Sequence, residues 1–247
     1  MTLRALPLVL LAAASFGVGI VLASGSADVD AAENFANAWA ADDYTAMYAE
    51  LNPDAQAQIS EEDFTKAYED ARETSTLNSL EIGDSRGPIS QPEGDVVAVE
   101  VTANTDSFGT ISGELAIPVA DGGVAWAENL VFPGLESGET LDRKTKAPER
   151  APILAADKSA LAEGPVDART TNGAGGIVAG EVGEPDPDRA KQLTAEGFAE
   201  GTAAGTSGLE MAFDEQLSGT PGGELLAVGE DGEKRTIAKS DPIPGRR

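Results

Sequence analysis

The chain has 247 residues, 41% of them hydrophobic, with no cysteine and no histidine. That composition allows an export segment plus one or two modest cores, and it excludes disulfides, thiolate metal sites, cysteine nucleophiles and a Ser-His-Asp triad. Seventeen basic residues face 43 acidic ones, a net charge of -26 spread along the whole chain; such a field repels nucleic acid and anionic lipid headgroups and argues against both as partners.

At the N-terminus, Arg4 precedes an apolar span at 5–23, and Asp28, Asp30 and Glu33 follow it. A basic residue before and acids after predict the N-terminus inside and the remainder outside. The span exceeds a signal-peptide core of about 7–15 residues and sits at the short end of the roughly 17–25 residues that cross a bilayer. Residues 1–27 are therefore predicted to be an uncleaved single-pass membrane anchor. The small residues Ala23, Ser24 and Gly25 leave signal cleavage and secretion as the alternative.

From Ala31 the pattern is helical, with Phe35 and Trp39 one turn apart. Tyr44, Met47, Tyr48 and Leu51 follow the i, i+3, i+4, i+7 rule behind an N-cap at Asp42 or Asp43, and Asn52-Pro53 stops that helix. Ser60-x-x-Asp63 reads as a capping-box variant opening a third helix, whose apolar face is Phe64, Ala67, Tyr68 and Ala71. The period then changes to two. A strand is predicted at 77–82, and Val97, Val99 and Val101 alternate with Ala98, Glu100 and Thr102 in the next. A turn at 104–109 leads to a strand at 110–119, and Asp121-Gly122-Gly123 turns into a further strand at 124–130. Helices followed by meandering strands give an α+β domain with the helices on one face of an antiparallel sheet.

Six aromatic residues, Trp39, Tyr44, Tyr48, Phe64, Tyr68 and Trp126, fall at helical and strand spacing, which suits a core. In a cone-shaped fold the same six would line a ligand pocket. The paired carboxylates Glu61-Glu62-Asp63 and Glu69-Asp70 lie in a first helical turn or on a solvent face, where acids suit the dipole and hydration.

Residues 133–149 read as a connector rich in Gly, Pro and charge. Its basic cluster, Arg143-Lys144-Thr145-Lys146, is flanked by Glu136, Glu139, Asp142 and Glu149. Arg150-Ala151-Pro152-Ile153-Leu154-Ala155 opens a second unit, 150–247. The Gly-rich stretch 173–183 around Ile177-Val178-Ala179 is predicted to be a loop and a short strand. Gly175-Gly176 belongs to no Gly-x-Gly-x-x-Gly and precedes no Gly-Lys-Ser/Thr, so it is not a phosphate loop. Asp186-Pro187-Asp188 lacks the further ligands of a calcium loop and reads as the cap of a helix through Leu193, with Pro187 at N1. Ser207 and Glu210 form an expected capping box on a helix whose apolar face is Leu209, Ala212, Phe213 and Leu217. Gly219-Thr220-Pro221-Gly222-Gly223 ends it, and a hairpin at 225–238 turns at Asp231-Gly232.

These residues carry a resemblance. The segment 31–132 resembles the nuclear-transport-factor-2-like N-terminal domain of penicillin-binding proteins of the methicillin-resistance type. The matching positions are Phe35, Ala38-Trp39, Asp43-Tyr44, Met47-Tyr48, Leu51, Ile59-Ser60, Phe64, Ala67-Tyr68, Phe108-Gly109, Pro118, Trp126 and the closing Leu130-Val131-Phe132-Pro133-Gly134-Leu135. The segment 150–247 resembles the dimerisation or pedestal domain of class B penicillin-binding proteins. It does so through Gly205, Ser207, Gly208, Leu209 and Glu210, then Phe213, then Leu217, Gly219 and Gly222, with Gly180-Glu181-Val182-Gly183 upstream. The Arg-Asp-Gly that the family places before its Leu-Ala is here Ala156-Asp157-Lys158, so that turn is expected to be built differently.

The resemblance implies a parent enzyme that acylates a serine with the D-Ala-D-Ala end of a stem peptide. That chemistry needs Ser-x-x-Lys, Ser-x-Asn or Ser-Asp-Asn, and Lys-Thr-Gly. None of the seven lysines has a serine three residues before it, Lys144-Thr145 continues with Lys146, and the nearest approach is Thr236-Ile237-Ala238-Lys239 in a predicted strand. The segment 242–247 looks like the point just before the family's catalytic domain. The expectation is a non-catalytic, extracytoplasmic module, with no catalytic, metal or cofactor residues of its own, that positions a transpeptidase domain for peptidoglycan cross-linking. On this reading the sequence is a natural truncation, part of a split gene or incomplete. The partners implied are the transpeptidase domain, cell-wall synthesis proteins, peptidoglycan and, through the N-terminal segment, the membrane. A free-standing protein binding a cell-wall fragment or small molecule in the cone is the alternative; a hydrolase working with carboxylates alone finds no supported candidate residue.

Overall fold

The computed structural model describes residues 26–173 and 175–246. The predicted anchor or signal segment therefore lies outside the described residues, except for residues 26 and 27, which begin the first helix. Among the described residues no helix is long and apolar enough to cross a membrane. The chain divides into two compact units: 26–105 with 109–142 and 225–238, and 106–108 with 143–224 and 239–246.

The first unit is α+β. Helix α1 (Ser26–Ala40) lies against all four strands of a sheet ordered β1-β2-β3-β4, and it also packs on α2 (Tyr44–Ala49). Helix α2 in turn meets α4 (Glu61–Ser75). The caps follow the expected chemistry. The Asp43 carboxylate accepts from the Ala46 N–H at 3.0 Å, and the Ser60 hydroxyl accepts from the Asp63 N–H at 3.1 Å while donating to the Asp63 carboxylate at 2.6 Å. Asn52-Pro53 ends α2 as read from sequence, but it also begins α3 (Pro53–Gln58). The Asn52 side chain accepts from the Ala55 N–H at 2.8 Å, and Pro53 stands at N1, where its missing N–H costs nothing.

Strands β1 (Leu77–Gln91), β2 (Gly94–Thr105) and β3 (Gly109–Ala120) are antiparallel. β2 and β3 pair without interruption from Asp95↔Val119 to Thr105↔Gly109, so Val97, Val99, Val101 and Ala103 turn inward opposite Ile117, Leu115 and Ile111. β1 is much longer than the predicted 77–82. Its register shifts at 77/79, 82/85 and 86/89, and these irregularities hide the period of two in the sequence. The strand predicted at 124–130 is not formed. β4 is only Gly123–Val124, and a 3-10 helix follows at Glu128–Val131. Leu130, Val131 and Phe132 are all buried in succession, a pattern that a one-face strand cannot satisfy and a tight turn can.

The interior of this unit is built of rings. Phe64 packs edge-on to Phe35, Tyr48 and Trp126, with centroids at 6.3, 5.6 and 5.5 Å, and Tyr68 lies edge-on to Trp39 at 5.4 Å and stacks on Tyr44 at 5.9 Å. The buried Tyr68 hydroxyl accepts from Trp126 Nε1–H at 3.1 Å and donates to the Leu130 carbonyl at 3.3 Å. Burial pushes the Tyr68 phenol far above its usual range, so it stays a neutral donor.

The predicted connector 133–149 contains strand β5 (Glu139–Lys146), which forms a sheet ordered β12-β11-β5 with β11 (Gly222–Gly229) and β12 (Lys234–Ser240); residues of this sheet fall in both units. The second unit also holds a small antiparallel sheet of β6 (Ile153–Leu154), β7 (Ala160–Glu163) and β8 (Thr170–Thr171), and a pair, β9 (Val182–Gly183) with β10 (Ala204–Gly205). Between β6 and β7, Lys158 takes the left-handed conformation at φ 69°, and the Asp157 carboxylate accepts from both the N–H and the hydroxyl of Ser159. The turn is indeed made without the family's glycine. The loop and strand expected around 177–179 is instead helix α5 (Gly175–Ala179), which leaves Ile177 89% exposed and buries Ala179. Helix α6 (Pro187–Ala195) is capped by Asp186, whose carboxylate accepts from the Asp188 and Arg189 N–H groups.

Tyr68→Phe is expected to leave both the Trp126 indole N–H and the Leu130 carbonyl short of a partner and to cost about 1–3 kcal/mol of stability. Urea denaturation of the full chain checks this, and a loss below about 0.5 kcal/mol, less than a typical net hydrogen bond, would show that water or a neighbour replaces the hydroxyl.

Candidate functional site

The family-like motif 205–222 folds into β10, helix α7 (Gly208–Ala212), helix α8 (Asp214–Ser218) and the turn before β11. The single amphipathic helix read from sequence is broken at Phe213, whose backbone leaves the helical region (φ -120°, ψ 18°). The buried face also differs from the predicted one. Ala212 and Phe213 are exposed and Leu209 is half-buried, whereas Glu210, Asp214, Leu217 and Ser218 point inward.

Two carboxylates on that face can be buried because guanidinium groups meet them. Glu210 is 0% exposed, and its Oε2 accepts from Arg150 Nε at 3.0 Å and Nη2 at 2.7 Å. Its Oε1 accepts from Arg169 Nε at 2.8 Å. Arg150 reaches Asp214 Oδ1 at 3.0 Å and donates to the Ser218 hydroxyl at 2.8 Å. Asp214 Oδ2 accepts from Arg189 Nε and Nη2, at 3.2 and 2.9 Å, and Arg189 Nη1 donates to Glu196 at 2.9 Å. The six charges alternate in sign: Arg169, Glu210, Arg150, Asp214, Arg189, Glu196. They tie residues before β6 and β8 to α6, α7 and α8.

The capping box expected at Ser207 and Glu210 is absent, and the ion chain is the reason. Glu210 is turned inward to two arginines, and the Ser207 hydroxyl accepts instead from the Glu181 N–H at 3.0 Å. The motif glycines have steric causes. A Cβ on Gly205 would fall on the Glu210 carbonyl, and Gly208, at φ 58°, lies so close to α5 that a Cβ would stand 2.7 Å from the Val178 carbonyl oxygen.

Burial by itself would raise the Asp214 carboxyl. The Gly205 N–H, donating to Oδ1 at 2.8 Å, and the Arg189 and Arg150 guanidinium groups outweigh that and hold it below the usual carboxylate range. Both oxygens of Glu210 and of Asp214 are occupied by donors. The arrangement is suited to holding three helices and two strand ends in register.

The six aromatic residues lie apart from this motif, in the first unit, and close on one another as described. Trp39, Phe64 and Tyr68 are buried, and Tyr44, Tyr48 and Trp126 are half-buried. A groove of about 560 Å³ in the same unit is lined by none of them. It is formed by polar groups of α1, β1 and β2, including Glu33, Asp84, Ser85 and Glu100, with Ser85 bonded to Glu33. Among the described residues no group of three or more histidine, cysteine, aspartate or glutamate side chains could hold a metal ion.

The comparisons with known proteins fall on the same two regions. Residues 27–139 match the family described as the NTF2-like N-terminal transpeptidase domain. Residues 170–247 match the penicillin-binding protein dimerisation domain. No curated protein matches the chain.

Arg150→Met would leave Glu210 and Asp214 buried without their shared cation and is expected to destabilise the second unit by about 3–5 kcal/mol; calorimetry of the full chain reads this directly. The pH dependence follows from Asp214. A carboxyl with a folded pKa below its unfolded value of about 3.9 contributes stability that is complete above that value and lost as pH falls through the folded pKa. The second unit should therefore lose stability below about pH 4, and Asp214→Asn should flatten that acid limb.

Proposed function

We propose, for a chain whose two domains belong to the N-terminal region of a penicillin-binding protein, that its function is to hold a transpeptidase domain in position for peptidoglycan cross-linking. Both matched domains are non-catalytic ones. The observation that carries the reading is their succession along one chain, 27–139 and then 170–247. The site supports it. The most strongly family-like residues, 205–222, are spent on a buried ion chain and on close backbone packing, which is the construction of a rigid pedestal.

The same reading places the domains outside the cytoplasm, attached to the membrane through the N-terminal segment, with cell-wall synthesis proteins and peptidoglycan as neighbours. The strong negative charge suits a hydrated surface in that setting. The penicillin-reactive serine belongs to the transpeptidase domain, and this chain contributes its placement.

The test is made in membranes of the source cell, with an antibody to residues 31–130 and a fluorescent penicillin. Antibody capture is expected to recover penicillin-labelled protein, in the same polypeptide or bound to it. Recovery of the chain with no penicillin label under mild detergent would overturn the positioning role.

A further inference from the structure

The segment after β12 lies on the backbone that carries the ion chain. Thr220 and Ile243 exchange backbone hydrogen bonds at 2.9 Å in both directions. The Gly245 N–H donates to the Glu149 carbonyl at 2.9 Å, and the Arg246 N–H donates to the Gln216 carbonyl at 2.8 Å. Between them, the Ala151 N–H donates to the Leu217 carbonyl at 2.8 Å. Glu149 and Ala151 flank Arg150, and residues 216–220 follow Asp214 and include Ser218. The two backbone stretches that hold the tail are thus the two that the Arg150 guanidinium ties together.

Glycines make this approach possible. A Cβ on Gly245 would fall on the Leu217 carbonyl, one on Gly219 (φ 74°) would fall on the Ile243 carbonyl, and one on Gly222 would stand 2.5 Å from the Pro242 nitrogen. Gly219 and Gly222 belong to the family-like stretch Leu217–Gly222, so that stretch admits the tail as well as ending a helix.

We propose that residues 242–246 form a clasp registered by the buried ion chain, so that the tail and the Arg150–Asp214 contact open and close together. The clasp lies wholly within 149–246, and the inference stands apart from the positioning role proposed above. Its physical content is a reciprocal coupling. If seating the tail stabilises the ion chain, an intact ion chain must stabilise the seated tail by the same factor.

Amide hydrogen exchange on the full chain, resolved by residue, tests both directions. Asp214→Asn weakens the ion chain without touching the tail, and it should raise exchange at the Gly245 and Arg246 amides by about tenfold. Gly245→Ala displaces the tail without touching a charge, and it should raise exchange at the Gly205 amide, which is bonded to Asp214, by a similar factor. The β2 amides should not respond to either change. Ser218→Ala, which removes one neutral partner of Arg150, is the milder probe should either variant fail to fold, and it should move the Gly245 and Arg246 amides in the same direction. Unchanged protection of Gly205 in Gly245→Ala, or of Gly245 and Arg246 in the network variants, overturns the coupling.

Discussion

Arg150 carries its charge into a part of the second unit from which water is excluded, and the surrounding structure is arranged to compensate it. Leaving a guanidinium or a carboxylate unpaired there costs several kcal/mol, so every neighbouring element is constrained in rotation as well as in position. Glu210 must turn inward from α7, Asp214 from α8, and Arg189 from α6. One continuous helix would present residues 210, 214, 217 and 218 along one face, whereas the break at Phe213 lets two short helices aim their carboxylates separately. An apolar interior tolerates small slips between elements, but a run of alternating charges with hydrogen bonds at 2.7–3.2 Å does not.

The two units rest on different physics. The first is held by rings and branched aliphatic residues in contact, with the buried Tyr68 hydroxyl as a polar link among the rings. The second has a small apolar cluster of Leu193, Phe198 and Ala204 beside the ion chain. Replacing a buried ion pair by well-packed apolar residues is often neutral or better for stability. What the charges give the second unit is therefore best described as a defined arrangement of short elements, most of which are too brief to hold their own register.

Much of the first unit was legible in the sequence, because its periodicity is local. Phe64, Tyr68 and Ala71 announce one helix face, and Val97, Val99 and Val101 one strand face. β1 was only half legible, since its bulges break the alternation, and the strand predicted at 124–130 gives way after Val124 to a 3-10 turn that buries Leu130 and Val131 together. The site was legible as a motif but not as a mechanism. Ser207 and Glu210 fit the capping-box spacing, and nothing within a few residues reveals that Glu210 answers to Arg150 and Arg169, 60 and 41 positions away. Those arginines stood in the sequence as a domain opening and an unremarked residue. A useful signal was the scarcity of basic residues: in a chain with 17 of them against 43 acids, each arginine outside the charged connector is worth pairing with a buried acid.

The ring-built interior of the first unit has an optical consequence. Both tryptophans, Trp39 and Trp126, and all three tyrosines, Tyr44, Tyr48 and Tyr68, belong to that unit, and the second contains neither residue type. Trp126 is hydrogen-bonded to Tyr68 and sits edge-on to Phe64, so its emission responds to the loosening of that interior. The intrinsic fluorescence of the chain is thus a reporter for one half of the molecule. The arginines and carboxylates of the ion chain carry no such chromophore, so tryptophan and tyrosine emission reads the ring-packed interior directly and the ion chain not at all.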